Sequence, residues 1–166
     1  MSKEVEKKYR VESFDTMLRK VNELGAKPTI DIHSTHYYAR LDSDDTIKMI
    51  DYPDKVEIHE VSTRNGLHSI DKIIGLDSVA AGYEWFKQRG YHTLEVVKMH
   101  DREFSYLDGG FALYAVDGVV NSVILGYEEA RIPAMEEVFE LTLAEEILVP
   151  YNKYLAKLGK LRLINI

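Results

Sequence analysis

Apolar and polar residues alternate along much of the chain, and this period of two predicts a protein built mainly of β-strands. Residues 4–11 (EVEKKYRV) open the chain with such a pattern. The later strand-like runs are IDIHSTHYYARL, TIKMIDY, KVEIHEV, HSIDKII, TLEVVKMHDREFSYL, FALYAVDGVV and SVILGYEEARI. Turn-forming residues such as DSDD (42–45), YPD, RNG and DGG separate several of these runs. Hairpin-like turns between successive runs favour antiparallel pairing.

Helical periodicity appears in three places between the strands. In SFDTMLRKVNELGAKP, Ser13 is the expected N-cap and Gly25 the expected end of the helix. DSVAAGYEWFKQRG predicts a second helix, capped by Asp77 or Ser78 and ended by Gly90. The C-terminal PAMEEVFELTLAEEILVPYNKYLAKLG predicts one or two amphipathic helices from about residue 134, interrupted at Pro150.

The resulting order, β-α-ββββ-α-βββ-α, indicates an α+β protein with an antiparallel sheet or barrel, because few strands are joined through helices. The length of 166 residues suits a single domain spanning residues 1–166. The net charge of −7 argues against broad nucleic-acid binding. No apolar run is long enough for a membrane span, and MSKEVEKK does not resemble a signal peptide, so we expect a cytoplasmic protein.

Charged residues on the first strand are ordered by sign. Glu4, Glu6, Lys8 and Arg10 share one face, with two acids followed by two bases. Such a face can be a solvated outer surface. In a closed barrel it would instead point inward, where acids can hold a divalent metal ion and cations can grip phosphate oxygens.

Two further strands carry cations on alternate residues. Lys98, His100 and Arg102 share a face of VVKMHDREF, and Lys48 lies in TIKMI. By the same argument, a barrel could direct these side chains inward, and they would then need a ligand or water as partner.

Other kinds of site have weak support. His33, His36 and His59 could be considered as zinc ligands, but the chain has neither an HExxH pattern nor any cysteine. Without cysteine there are also no disulfides or thiolate nucleophiles. No GxSxG elbow or glycine-rich phosphate loop occurs, and LDGGF is better explained as a hairpin turn.

The opening motif resembles a known family. Glu4, Glu6 and Lys8 match the ExExK signature of the CYTH superfamily, the triphosphate tunnel metalloenzymes. ELGAKP, the tyrosine pair Tyr37–Tyr38, RGYHTLEVVKMHDREF and LYAVDGVVNSVILGYEEAR resemble later segments of that family. The similarity covers the chain from Glu4 to about Arg131.

The resemblance implies an eight-stranded antiparallel β-barrel with flanking helices, enclosing a charged tunnel. It also implies a metal-dependent phosphohydrolase or cyclase that acts on inorganic triphosphate, thiamine triphosphate or ATP with Mg²⁺ or Mn²⁺. The expected partner is thus a small-molecule triphosphate or nucleotide, and a homodimer is left open.

Carried over by position, the resemblance assigns roles to individual residues. Glu6 and Lys8 would be catalytic, and Glu4, Glu6 and Glu129 would hold the metal ion. The phosphates would be contacted by Lys8, Arg10, Lys48, Lys98, His100 and Arg102. The chain departs from the family pattern in three places: only Lys48 replaces an Arg-x-Arg pair, His100 stands at an arginine position, and Arg131 stands at a glutamate position. These departures motivate an alternative, a tunnel protein that binds a nucleotide, polyphosphate or other organic anion without catalysis.

Overall fold

The computed structural model describes residues 4–39 and 45–166. Ten strands are present in this part of the chain: β1 (Glu4–Val11), β2 (Lys27–Ala39), β3 (Thr46–Asp51), β4 (Val56–Arg64), β5 (Leu67–Leu76), β6 (Thr93–Ser105), β7 (Gly110–Val116), β8 (Val120–Glu128), β9 (Glu145–Ile147) and β10 (Arg162–Asn165). The helices are α1 (Asp15–Leu24), α2 (Val79–Lys87), α3 (Ile132–Val138) and α4 (Tyr151–Lys157), with a 3₁₀ turn at Glu129–Arg131.

Eight of the strands close into an antiparallel barrel. The neighbours follow the order β6-β2-β3-β4-β5-β1-β8-β7, and pairing of β6 with β7 completes the circle. Closure leaves the eight strands without a free sheet edge between them. The α+β barrel expected from the sequence is therefore confirmed. The short strands β9 and β10 were not expected; they pair with β1 and β6 respectively.

Helices cover the outside of the barrel at two places. The first is the core between α1, α3 and the outer faces of β1, β7 and β8, where Met17, Tyr9, Leu125 and Phe139 are all buried. The second lies under α2, where Phe86 packs with core residues of β3 and β4 such as Met49 and Ile58. Because apolar side chains fill these outer faces, the residues that alternate with them point into the barrel.

Helix ends follow most of the sequence signals. The Ser78 hydroxyl accepts a hydrogen bond from the Ala81 amide, and Gly25 has the left-handed conformation that ends α1. The N-cap of α1 is Phe14 rather than Ser13, whose hydroxyl instead accepts from the Asp15 amide at 3.4 Å.

The C-terminal region differs from its prediction. The expected acidic helix is interrupted after α3, where Glu140 takes a φ of +57°, and residues 145–147 form β9. The helix prediction rests on apolar periodicity alone. Periodicity does not show that residues Lys8–Arg10 of β1 are free to pair with another strand, and β9 forms there. Of the predicted DSDD turn, residues 42–44 lie outside the described residues. No helix in residues 4–39 and 45–166 combines the length and apolarity needed to cross a bilayer.

Candidate functional site

The barrel interior holds the sign-ordered face of β1. Glu4, Glu6, Lys8 and Arg10 alternate with Val5 and Tyr9, which pack in the outer core. Glu4 and Glu6 line one cavity within the barrel, while Lys8 lines a second, deeper one. The first strand is thus a row of charges that runs from one end of the barrel to the other.

The open end of the barrel is acidic. A mouth cavity of about 330 Å³ is lined by three interior glutamates, Glu4, Glu6 and Glu103, together with Asp108 at the β6–β7 turn. Among the residues that the structure describes, no lysine or arginine lines this cavity. A Cβ at Gly126 would lie 2.9 Å from Glu4 Oε1, so a larger residue there would displace the Glu4 carboxylate. The mouth therefore attracts cations and repels a bare anion.

The inner cavity is small and contains the two buried lysines. Its volume is about 30 Å³, room for one or two water molecules. Lys8 and Lys48 line it together with Tyr38, and Glu6 lines both this cavity and the mouth. Glu6 consequently marks the boundary between an acidic outer half and a basic inner half.

Helix α4 covers the end of the barrel beyond the lysines. Lys8 Nζ donates to the Val149 carbonyl at 3.0 Å and lies 4.2 Å from the centroid of the Tyr151 ring. Tyr151 and Ser122 share a hydroxyl hydrogen bond of 2.7 Å. The Arg10 guanidinium donates to the Tyr154 hydroxyl at 3.1 Å. Arg10 is thus on the predicted face but lies against the covering helix.

Burial disfavours the charged forms of Glu6, Lys8 and Lys48. It raises the pKa of Glu6 to about 7, although the nearby Lys48 and Lys8 partly counteract the shift. Burial likewise lowers the pKa of Lys8 to about 7 and that of Lys48 to about 8. A ligand that brings negative charge to the lysines, or positive charge to Glu6, would relieve this cost.

Several interior polar atoms have no hydrogen-bond partner within the described part of the chain. Tyr38 Oη, His36 Nδ1 and Asp101 Oδ1 are buried and unpaired. All three side chains are at inward-facing positions. Tyr38 opposes Lys48, His36 is on the same strand face as Tyr38, and Asp101 opposes Tyr114 of the inner cavity. Unpaired buried polar atoms cost free energy, so the interior is suited to water or a polar ligand.

Asp101 gives a test of these interior electrostatics. Burial, reinforced by Glu103, raises the pKa of Asp101 to about 9, so the folded protein holds a proton that the unfolded chain releases above about pH 4. Wild-type stability is therefore lost as the pH rises towards 9, whereas Asp101→Asn does not titrate. We expect the variant to gain stability relative to wild type on going from about pH 6 to about pH 9.

Urea unfolding at both pH values measures this difference. Asp54→Asn, an exposed turn position, is the control and should show no such gain. A constant offset between Asp101→Asn and wild type at the two pH values would contradict a protonated, buried Asp101.

The prediction that Lys98, His100 and Arg102 line the barrel interior is wrong. All three are on the same face of β6 as Phe104. The Phe104 ring stacks on the Phe111 ring in the outer core, with 5.2 Å between the ring centroids, so this face points outward. The Arg102 guanidinium lies 5.4 Å from the Phe14 ring. His100 Nε2 is 2.6 Å from Asp31 Oδ1, and Lys98 is exposed. Both faces of β6 carry charge, so alternation alone could not decide which one points inward.

Glu129 is also not brought to the site. It lies in the 3₁₀ turn after β8, is exposed, and lines a surface depression with Arg64 and Asp71. The preceding residue, Glu128, is the one paired with Glu4 across β1 and β8. Glu128, rather than Glu129, therefore has the strand register of Glu4.

Sequence reasoning missed other interior residues. Asp101 and Glu103 alternate with the basic triplet on β6, and His36, His68 and Tyr114 also face inward or line the inner cavity. Burial lowers the pKa of His68 to about 3, so it is neutral near pH 7. The signal in the sequence is the second face of β6, where Asp101 and Glu103 alternate with the basic residues.

Comparison with solved structures identifies the fold. The PH1012 protein of Pyrococcus horikoshii OT3 matches with a TM-score of 0.74 and 20% identity, covering 86% of this chain and 94% of that one. A protein of Vibrio parahaemolyticus named as adenylate cyclase-like matches with a TM-score of 0.73 and 15% identity, over 93% and 98% of the two chains. The chain has the fold of these structures, a closed antiparallel β-barrel with flanking helices, which agrees with the tunnel fold that the resemblance to the CYTH superfamily implies.

A further solved structure has the same fold at a lower TM-score. The adenylyl cyclase-like protein HpAC1 of Hippeastrum, reported to have a dominant triphosphatase activity, matches with a TM-score of 0.61 and 11% identity over 96% and 97% of the two chains. No protein-family model and no curated protein sequence matches the chain. At these identities the likeness establishes the tunnel fold, and the activity has to be argued from the residues in the barrel.

Proposed function

We propose that the barrel binds a triphosphate compound together with Mg²⁺ or Mn²⁺, and that the protein hydrolyses or cyclises this compound. The observation that carries the proposal is the division of the interior into a carboxylate-lined mouth and an inner end with two buried lysines. The solved structures with this fold include proteins named for adenylate cyclase and triphosphatase activities, which supports the same substrate class.

The residues of the mouth suit a hard divalent cation. Glu4, Glu6 and Glu103 offer carboxylate oxygens, the ligands that Mg²⁺ and Mn²⁺ prefer. Within residues 4–39 and 45–166, no group of three or more metal-ligating side chains is already gathered closely enough to hold an ion alone. Because Mg²⁺ commonly combines one or two carboxylates with substrate phosphates, we expect the ion to bind with the triphosphate. When bound, it would neutralise charge on the phosphate oxygens.

In this proposal, Lys8 and Lys48 would receive the phosphates. Each ammonium can donate charge-assisted hydrogen bonds to phosphate oxygens, which would also keep it protonated despite burial. In hydrolysis, water attacks phosphorus while the bond to the leaving phosphate oxygen breaks, and in cyclisation a ribose hydroxyl attacks instead. The lysines would hold the oxygens in line for either attack, and α4 would exclude water from the far end.

A second candidate is binding without turnover. It is favoured because Lys98, His100 and Arg102 lie outside the barrel. Three of the six expected phosphate contacts are therefore missing from the interior. Each lost charge-assisted contact is worth about 1.5–3 kcal/mol. Arg10 is held against α4 by the Tyr154 hydroxyl, so two lysines remain. They can hold a metal-bound anion and yet stabilise a transition state too weakly for turnover.

Calorimetric titration separates these candidates. Tripolyphosphate, and then ATP, are injected with Mn²⁺ and again with EDTA present. Sustained heat with release of phosphate, abolished by EDTA, is expected for the enzyme; saturable heat without product supports the binder. Absence of heat with both ligands, or activity that persists in EDTA, would contradict the proposal.

Glu6 gives a matched test of the metal requirement. Glu6→Gln keeps the shape of the side chain but removes its charge, so we expect the Mn²⁺ concentration needed for binding to rise about tenfold or more. Glu129→Gln is the control because Glu129 lies on the outer surface. Equal effects of the two substitutions would show that Glu6 does not bind the ion.

A further inference from the structure

A second cavity lies outside the barrel, on a part of the sheet that the helices leave uncovered. This outer groove has a volume of about 1080 Å³ and crosses the outer faces of β2 and β6. Its main polar and aromatic lining residues are His33, Tyr52, Lys98, His100, Lys160 and Arg162. The volume is at the upper end of the range for small-molecule sites.

The charge of the outer groove is opposite to that of the whole protein. Its lining includes three basic side chains, Lys98, Lys160 and Arg162, and two carboxylates, Asp51 and Asp117. Asp117 is already engaged, because it lies 2.6 Å from Arg162 Nη2 and accepts from the Lys98 backbone amide.

The two lysines are left available. Within the described ranges, neither the Lys98 nor the Lys160 ammonium forms an ion pair. With Arg162 and Asp117 neutralising each other, two cations face one carboxylate, Asp51. In a protein of net charge −7, this local excess of positive charge favours an anion.

A pair of stacked rings forms part of the groove wall. The His33 and His100 rings lie 4.2 Å apart at an angle of 14°. His100 Nε2 is held 2.6 Å from Asp31 Oδ1, which fixes the orientation of the pair. Planar rings stack on such surfaces, and Tyr52, Pro53 and Val119 add apolar area nearby.

We propose that the outer groove binds a small molecule in which a planar ring carries a phosphate or carboxylate group. The ring stacks on the His33–His100 pair and the anionic group lies between Lys98 and Lys160. This site is separate from the barrel interior, because Lys98 and His100 are on the opposite face of β6 from Asp101 and Glu103. It does not depend on the triphosphate proposal.

Titration with AMP, adenosine and inorganic phosphate tests the groove. AMP combines a planar base with one phosphate and should bind at least about tenfold more tightly than either part alone. Lys98→Ala and Lys160→Ala should each weaken AMP binding about tenfold, and both positions are exposed, so the variants should fold. His33→Ala should weaken AMP binding and leave phosphate binding unchanged.

Lys48→Met is the control that distinguishes the two sites. It alters the barrel interior, so AMP binding to the outer groove should be unchanged. Loss of AMP binding in Lys48→Met but not in Lys98→Ala would overturn the proposal, as would failure of AMP to bind at millimolar concentration. Tighter binding of a single-stranded oligonucleotide than of AMP through the same lysines would overturn it in favour of a nucleic-acid surface.

Discussion

Lys48→Met is expected to weaken binding of tripolyphosphate with Mn²⁺ by about 10- to 100-fold, because a charge-assisted contact to phosphate is worth about 1.5–3 kcal/mol. Lys48 is buried and lines the inner cavity, so few alternative cations can replace it. Lys157→Met is the matched control, because Lys157 is exposed on α4 and belongs neither to the barrel cavities nor to the outer groove. Calorimetry on both variants measures the difference.

The Lys48 variant should remain folded. Burial lowers the pKa of Lys48 to about 8, so keeping its ammonium charged near pH 7 costs folding free energy that methionine avoids. A loss of binding with unchanged or increased stability thus reports on the ligand contact. Equal loss in Lys48→Met and Lys157→Met, or no loss in either, would contradict the assignment of Lys48 to the binding site.

Phe139→Ala is expected to reduce the free energy of unfolding by about 3–5 kcal/mol. Phe139 is 1% exposed and follows α3, where its ring lies 4.6 Å from the Phe111 ring on the outer face of β7. Truncation would leave a cavity between the barrel and the segment that covers it. Urea unfolding measures the change in stability.

Leu143→Ala provides the control for this prediction, since Leu143 is 99% exposed and its truncation should change stability by less than about 0.5 kcal/mol. The comparison also tests which face of the sheet points outward. A loss of less than about 1 kcal/mol for Phe139→Ala would mean that Phe111 and Phe104 do not form an outer core, and the inward direction of Asp101 and Glu103 would lose its support.

The sequence predicts the barrel well because local signals agree with it. Alternation on β1, the Ser78 cap and the left-handed Gly25 all depend on nearby residues, and all are confirmed. The strands β9 and β10 could not be predicted, because their pairing partners are distant in the chain. Their short runs have no periodicity that distinguishes a strand from a helix end.

The sequence predicts which residues of β1 face the barrel interior, but not which residues of β6 do so. On β1 the alternate residues Val5 and Tyr9 are the ones that pack in the outer core, so the charged face could be assigned inward. On β6, Lys98, His100 and Arg102 share their face with Val96 and Phe104, while Val97 and Met99 share the other with Asp101. Because both faces of β6 carry apolar residues, the sequence does not show which face points outward. The packing of α1 and α3 decides this, and it is visible only in the tertiary structure.

The most direct test is the position of a bound metal and triphosphate in a crystal. Crystals soaked with Mn²⁺ and a slowly hydrolysed imido analogue of triphosphate would locate the ion by anomalous scattering. We predict an Mn²⁺ peak in the mouth beside Glu4 and Glu6, with phosphate oxygens directed towards Lys8 and Lys48. An empty barrel with the analogue bound in the outer groove at Lys98 would contradict the claim that the barrel interior is the functional site.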